Sequence, residues 1–434
     1  MIRERIQLGL IHVAVAMTLV PINSTLNRVM IKELALSATL VALLASLPYL
    51  FSPIQVAIGS FSDRHPLFGF RRSPYIALGL FFCVLGVMLA PQAAFLLSTH
   101  WWAGLILGVL TFGAWGMGFN FATVSYLSLA SEISGEKGRG KTVAIMWFMM
   151  IVSIIVTAIF LGYLVDPYTP EALVRAFSLI GLVALVLGGI GLIKLEPRFA
   201  ARGTSTPEEK SWGEMIRVIL DNRQATLFFW YLLILLAAIL GQDILLEPFA
   251  GEAFGMAVRT TTRITSLWGV CVLIALLVAG FLESRVSKRT VAQWGAWSAL
   301  AGFVLIAASG FMISTSVFYN GVVLLGLGTG LATVSNLSLM LDMTTASSVG
   351  LFIGAWGMSN AMSRLTGSLL AGVVRDSITR ILRDPVLGYA SVFLIEAAML
   401  FISLLLLRQI NTTAFHQDVE KPGLIERAAM ANDI

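Results

Sequence analysis

The chain has 434 residues, 57% of them hydrophobic and only 12% charged, with a mean hydropathy of +0.87. Soluble domains carry roughly a quarter charged residues, so this composition excludes an ordinary soluble enzyme or nucleic-acid-binding module and places the chain in a membrane. Most of the charged residues stand between long apolar runs, while Cys83 and Cys271 fall inside such runs, so neither a disulfide framework nor a metal cluster is encoded.

A crossing helix needs about 20 predominantly apolar residues. Twelve such stretches follow one another, at residues 7–29, 38–61, 74–97, 102–130, 142–164, 174–194, 225–246, 264–283, 291–313, 318–341, 350–373 and 387–408. Two pairs share one uncharged run, and their breaks are expected at LLSTH, Leu96 to His100, and at STSVFYN, Ser314 to Asn320. No small-residue cleavage site follows MIRERIQLGL, so the first span reads as retained and not as a removed signal peptide. It carries His12, the one histidine inside a predicted span, and ends at Asn27 and Arg28. A neutral imidazole at that depth serves either as an axial ligand to the magnesium of a porphyrin-like ring or as a hydrogen-bonding partner of a neighbouring helix.

The loop after the second span reads GSFSDRHPLFGFRRSPY. Its Gly59, Asp63, Arg64, Arg71 and Arg72 resemble the loop signature of the major facilitator superfamily, in which glycine permits close helix approach and the acid and bases form a charge lock. The second half repeats it in weaker form at GFLESRVSKR, with Gly280 and Arg285 retained and Ser284 in the acidic position, so the second lock is expected to be degraded. That resemblance implies an all-α polytopic fold of two six-helix pseudo-repeats, with any ligand near the midplane between them.

Gly135 to Thr142, GEKGRGKT, satisfies the P-loop pattern, but that pattern wraps phosphates only when a strand precedes it. Here an apolar helix does, so the stretch reads as a basic turn near lipid phosphate and not as a nucleotide site. Farther on, residues 195–223 form the longest loop, and SWGEMIRVIL within it predicts a short amphipathic helix lying on the membrane surface. The expected organisation is thus a first half at 1–194, a linker at 195–223, a second half at 224–410 and a tail at 411–434. With the N-terminus inside, about 20 of the 29 basic residues fall on the cytoplasmic side, which puts both termini there.

Ionisable residues within spans are functional hypotheses, and a deep base needs a partner. Arg364 lies midway along the eleventh span; Glu396, Asp243 and Glu247 are the acids available to it. Asp243 and Glu247 stand four apart and share one helix face, and Asn27 and Arg28 at the end of the first span could cap it or meet those acids across the two halves. Asn120, Tyr126 and Asn336 are further polar contacts expected to face the cavity. Trp115, Trp147, Phe148, Trp268 and Trp356 could line it, although aromatic residues in such helices commonly serve packing.

An internal repeat binds these elements. ATVSYLSLASEI, from Ala122, returns as ATVSNLSLMLDM, from Ala332, and Gly118 and Gly328, Glu132 and Asp342, Gly162 and Gly372, Asp166 and Asp376 keep the same register. One half is a diverged copy of the other.

Three stretches, STLNRVMIKEL (Ser24 to Leu34), SDRHPLFGFRRSPYI (Ser62 to Ile76) and QDILLEPFAGEAFGM (Gln242 to Met256), resemble the PucC family, a branch of the major facilitator superfamily. That resemblance implies a non-enzymatic assembly factor that binds bacteriochlorophyll or chlorophyll as cargo and hands it to light-harvesting antenna polypeptides, with pigment-synthesis enzymes as neighbours, in an inner, photosynthetic or thylakoid membrane. No ligand residue follows from it, so His12, Asn120, Tyr126 and Asn336 are candidates from their own chemistry. The fold also admits a proton-coupled secondary transporter of a small solute, with Asp243, Glu247 and Arg364 as coupling groups. A prenyl transferase does not fit, because no two aspartates stand four apart to hold a magnesium diphosphate.

Overall fold

Proline and capping residues punctuate the chain into helices. In the computed structural model, which describes residues 2–51, 54, 58, 61–62, 65–197, 222–282, 285–343, 349–412 and 414–415, with backbone only at 136–137, 139–140 and 349–355, almost every described residue is helical. The first half consists of α1 (Ile2–Glu33), α2 (Ala38–Ala45, continued by Leu47–Leu50), α3 (Ser73–Thr99), α4 (Trp101–Gly135), α5 (Lys141–Leu164) and α6 (Pro170–Leu192). The second half consists of α7 (Arg223–Ile244, continued by Leu246–Phe254), α8 (Val258–Leu282), α9 (Lys288–Met312), α10 (Thr315–Asp342), α11 (Val349–Leu382) and α12 (Pro385–Gln409).

Ten of these are long and apolar enough to cross a membrane. The other two predicted spans are helical as well: α2, whose continuation is described only at Ile54, Ile58, Phe61 and Ser62, and α11, which carries Arg364, Arg375 and Asp376 and runs past its predicted end to Leu382. The first expected break is present at His100, and the second falls at Ile313, which has φ 49°, and Ser314, at the leading edge of the expected stretch, whose residues from Thr315 on are already helical. The predicted amphipathic helix of 211–220 and the tail beyond Phe415 lie outside the described residues.

Ser37, Thr169, Asn222, Ser287, Ser314 and Asp384 each accept a hydrogen bond from a backbone N–H in the first turn of α2, α6, α7, α9, α10 and α12. These side chains satisfy donors that a helix start otherwise leaves orphaned. The start of α3 is capped from a distance: backbone N–H groups of Arg71, Arg72 and Ser73 donate to the Glu196 carboxylate at 2.8, 3.0 and 2.6 Å. That contact ties the beginning of α3 to the end of α6.

Two helices are irregular at matching places. α1 widens to π-helix at Pro21–Leu26 and Val29–Glu33, and α7 tightens to a 3-10 turn at Gln242–Ile244. A proline stands beside each, Pro21 and Pro248, and removes an N–H from the ladder. α4 passes into α5 through Gly135, whose φ of 61° and ψ of 175° break the helix there, so the connection expected at residues 131–141 is a kink. Both cysteines are buried and free.

The repeat is visible in the packing. A methyl group on Gly79 would come within 2.5 Å of the Ala122 nitrogen, and one on Gly295 within 2.7 Å of the Ala332 nitrogen. Both glycines therefore permit the same backbone contact, α3 on α4 and α9 on α10, at the two ATVS segments.

The halves meet along α5 against α8 and α2 against α11, with α1 against α7 between them. At the end of the bundle distant from the termini, Arg259 pairs with Asp166 at 2.5 Å and Lys32 with Glu252 at 2.7 Å. Asp376 accepts from the backbone of Ala38 and Thr39 at 3.1 and 2.8 Å. Asp166 and Asp376 are repeat equivalents, so each half reaches across with the same acid to the first turn of the other half's helix.

Candidate functional site

His12 projects from α1 into the first half and is 6% exposed. Its ring lies 5.0 Å from that of Tyr126 on α4 and 6.5 Å, edge-on, from that of Trp147 on α5. The backbone of Met146 is within hydrogen-bond reach of the ring, whereas Nδ1 is buried with no partner among the described residues. The tautomer protonated on Nε2 leaves Nδ1 a free lone pair, the form in which imidazole ligates a metal. Trp147 is 43% exposed, so one aromatic ring separates that nitrogen from the surroundings of the bundle.

The corresponding place in the second half is closed. Tyr231 of α7 donates from its hydroxyl to Asn336 Oδ1 at 2.5 Å, and Trp356 stacks edge-on against Phe228 at 4.8 Å. Asn120 is elsewhere again, donating to the Pro48 carbonyl at 3.0 Å where α4 meets α2. Of the four candidate polar contacts, only His12 and Tyr126 are brought together. Trp115 and Trp356 are fully buried, and Trp115 donates to Thr18 Oγ1 at 3.2 Å, so these two serve packing.

The intramembrane charges fall into separate groups. Arg364 stands 3.9 Å from Asp243 and 3.3 Å from the Tyr49 hydroxyl, with its guanidinium over the Tyr49 ring. Of the acids expected, Asp243 is therefore the partner, and Tyr49 of the first half is a neighbour the sequence did not suggest. Glu247 does not share a face with Asp243, contrary to the expectation from their spacing, because the 3-10 turn breaks the helix between them. It accepts instead from Ser24 and, at 2.6 Å, from Thr265, joining α1, α7 and α8, with Thr25 and Thr262 paired beside it at 3.0 Å.

Arg28 is buried against Gly251 of α7, donates to the Met256 carbonyl at 3.2 Å, and takes Glu33 of its own half as ion partner at 2.8 Å. A cavity of about 310 Å³ opens between Arg28, Lys32, Glu33, Tyr168 and Glu252. Glu396 is buried between α7, α11 and α12, and neither carboxyl oxygen has a partner among the described residues.

At the termini-proximal end, Arg71 and Arg72 pair with Glu132 at 3.3 and 3.1 Å. Gly59, Asp63 and Arg64 lie outside the described residues. The second half does not lack a lock: Lys288 pairs with Asp342 at 2.8 Å. Asp342 occupies the repeat position of Glu132, the signal that identifies this pair, whereas Arg285 is exposed and Gly280 has open space around its Cα. The degraded signature had pointed to the loop, but the working base sits at the start of α9. At the P-loop-like stretch, helix and not strand precedes the glycines, and Thr142 is buried, accepting from Arg5 Nε at 3.0 Å.

A sequence model of the PUCC protein family matches residues 25–415. Protein PucC of Cereibacter sphaeroides is 31% identical over 423 residues, 94% of this chain and 91% of that protein. Protein PucC of Rhodobacter capsulatus is 31% identical over 416 residues, 92% and 90% of the two chains. The bacteriochlorophyll synthase 44.5 kDa chain of Rhodobacter capsulatus is 28% identical over 407 residues, 91% and 93%. Among solved structures, a bacterial homologue of the lysosomal transporter Spinster, inward-facing and unoccupied, superposes with a TM-score of 0.74 at 14% identity, covering 97% and 98%. A mutant of the nucleoside transporter NupG gives 0.75 at 13% identity, covering 94% and 99%. At those identities the likeness establishes the fold, that of the major facilitator transporters, and nothing about substrate.

Proposed function

The chain belongs to the PUCC protein family, and on that premise we propose that it is an assembly factor that binds bacteriochlorophyll or chlorophyll and delivers it to light-harvesting antenna polypeptides within the membrane. His12 carries this reading: a buried imidazole whose Nδ1 has no partner among the described residues, flanked by Tyr126 and by the partly exposed Trp147. Magnesium at the centre of a tetrapyrrole is completed by one axial nitrogen, and a pigment entering from the lipid meets Trp147 first. The names of the relatives, Protein PucC and a bacteriochlorophyll synthase chain, support a photosynthetic setting, hence an inner or thylakoid membrane with both termini cytoplasmic and with antenna polypeptides and pigment-synthesis enzymes as neighbours. The chain acts here as a carrier, without catalysis.

Purification from a phototroph in mild detergent, followed by an absorption spectrum, tests the reading. Pigment bound to the wild type and lost in His12→Ala, with antenna peptides co-purifying, is the expected result. A colourless wild-type protein overturns it, and pigment stoichiometry unchanged in His12→Ala removes His12 from the role.

A proton-coupled transporter of a small solute is favoured by one observation of its own, the Asp243–Arg364–Tyr49 contact at the junction of the halves with Glu396, unpartnered among the described residues, behind it. Solute uptake by proteoliposomes that requires a proton gradient and fails in Glu396→Gln would establish that reading in place of the first.

A further inference from the structure

The seam between α5 and α8 carries a cationic group that neither the fold nor the pigment reading uses. Tyr163 of α5 lies against two arginines of α8, with Cζ of Arg259 4.4 Å and Cζ of Arg263 4.7 Å from its ring centroid, both within cation–π reach. Arg259 is neutralised by Asp166. Arg263 is exposed and has no carboxylate or hydrogen-bond partner among the described residues.

Arg263 stands five residues into a helix that begins at Val258, about 8 Å along its axis at 1.5 Å per residue, where headgroups give way to acyl chains. An unpaired guanidinium there is unfavourable unless an anion meets it. Farther along both helices the exposed residues are apolar and keep one face: Val156 and Phe160 on α5 lead up to Tyr163, and Val270 and Ile274 on α8 lead away from Arg263. Beneath this face the helices touch. A methyl group on Gly162 would stand 3.2 Å from the Arg259 carbonyl, and one on Gly269 3.0 Å from Ile155. The seam is therefore a shallow track with a cation at one end and a closed floor.

We propose that this seam binds an anionic phospholipid, its phosphate on Arg263 and its acyl chains along Val156, Phe160, Val270 and Ile274. Arginine presents a planar fork that matches phosphate oxygens, and the track supplies what a free anion does not need. Because Tyr163 belongs to one half and Arg263 to the other, the bound lipid holds the halves together at the end distant from the termini. This assignment is independent of the pigment reading.

Native mass spectrometry of the full chain in detergent tests it, with phosphatidylglycerol, phosphatidylcholine and glycerol 3-phosphate offered in turn. Phosphatidylglycerol is expected to be retained in preference to phosphatidylcholine, and Arg263→Ala to weaken its binding about tenfold, equivalent to about 1.4 kcal/mol. Arg263→Lys should keep most of the preference. Since Arg263 is exposed, the alanine variant should melt like the parent in lipid-free detergent. Equal retention of the two lipids, or an unaltered affinity in Arg263→Ala, overturns the proposal; glycerol 3-phosphate binding as tightly as the lipid overturns it too, because the site would then serve a soluble anion.

Discussion

At the scale of the residue, two buried polar sites, one in each half, carry opposite expectations. Tyr231 and Asn336 satisfy each other in the second half, whereas His12 Nδ1 in the first half is buried without a partner among the described residues. Removing one member of a satisfied buried pair strands the other, so Tyr231→Phe should cost about 1–2 kcal/mol of unfolding free energy. His12→Leu removes an imidazole whose buried Nδ1 has no partner among the described residues and whose ring keeps one contact, to the Met146 backbone, and should leave stability within about 1 kcal/mol of the parent. Thermal unfolding in one detergent compares the two. On the proposed pigment reading the contrast separates a residue kept for function from one kept for packing: His12→Leu would then lose pigment while keeping its fold. Glu196 is a third case, a buried carboxylate that receives three backbone N–H groups at the start of α3. Glu196→Ala should lower stability by about 2 kcal/mol, with the earliest loss of amide-exchange protection at residues 71–76. No spacing in the sequence announced it, because the acid and the helix it caps are far apart in the chain.

At the scale of the element, glycine decides where helices touch. Gly79 and Gly295 let α3 approach α4 and α9 approach α10 backbone to backbone, while Gly189 on α6 has open space where a side chain would go. Gly79→Leu and Gly295→Leu should each destabilise by at least about 2 kcal/mol because the displaced atoms are main chain and cannot rotate away. Gly189→Leu should be close to neutral; equal melting shifts for all three would refute the argument. The helices themselves were legible, since apolar length, Ser, Thr, Asn and Asp caps, and the LLSTH and STSVFYN breaks lie in the linear text. Three features were misread. The Asp243 and Glu247 spacing implies a shared face only on an unbroken helix, and Pro248 was the available sign that this one breaks. The loop expected around residues 131–141 is a kink at Gly135. The second charge lock was sought in a loop motif, although the Glu132 and Asp342 register already marked its acid.

At the scale of the whole molecule, the described polar contacts between the halves run from the midplane, at Tyr49 and Arg364, to the end distant from the termini. There Lys32 meets Glu252, and Asp166 and Asp376 each hold the first turn of a helix in the other half. That end is closed by ion pairs and caps, which separate and re-form at lower cost than an interdigitated apolar seam. Lys32→Cys with Glu252→Cys should therefore cross-link readily through a disulfide-forming bis-methanethiosulfonate reagent that replaces the length of the two lost side chains. After cleavage at a protease site inserted in residues 198–221, the two halves should migrate together without reductant and apart with it; halves that separate under both conditions would show this end open.

The sequence by itself determined the membrane setting, the twelve helices, the duplication and the family, because each depends on composition, run length or register, which are properties of the chain read in order. Tertiary structure alone decided which polar residues satisfy one another. The choice of Asp243 for Arg364, the capture of Glu247 by two hydroxyls, the closed Tyr231–Asn336 pair and the free nitrogen of His12 all depend on helices distant in sequence arriving at one depth and one rotation. Hydrogen bonds and ion pairs act over a few ångströms, so a pattern of residue types limits the available partners but does not choose among them.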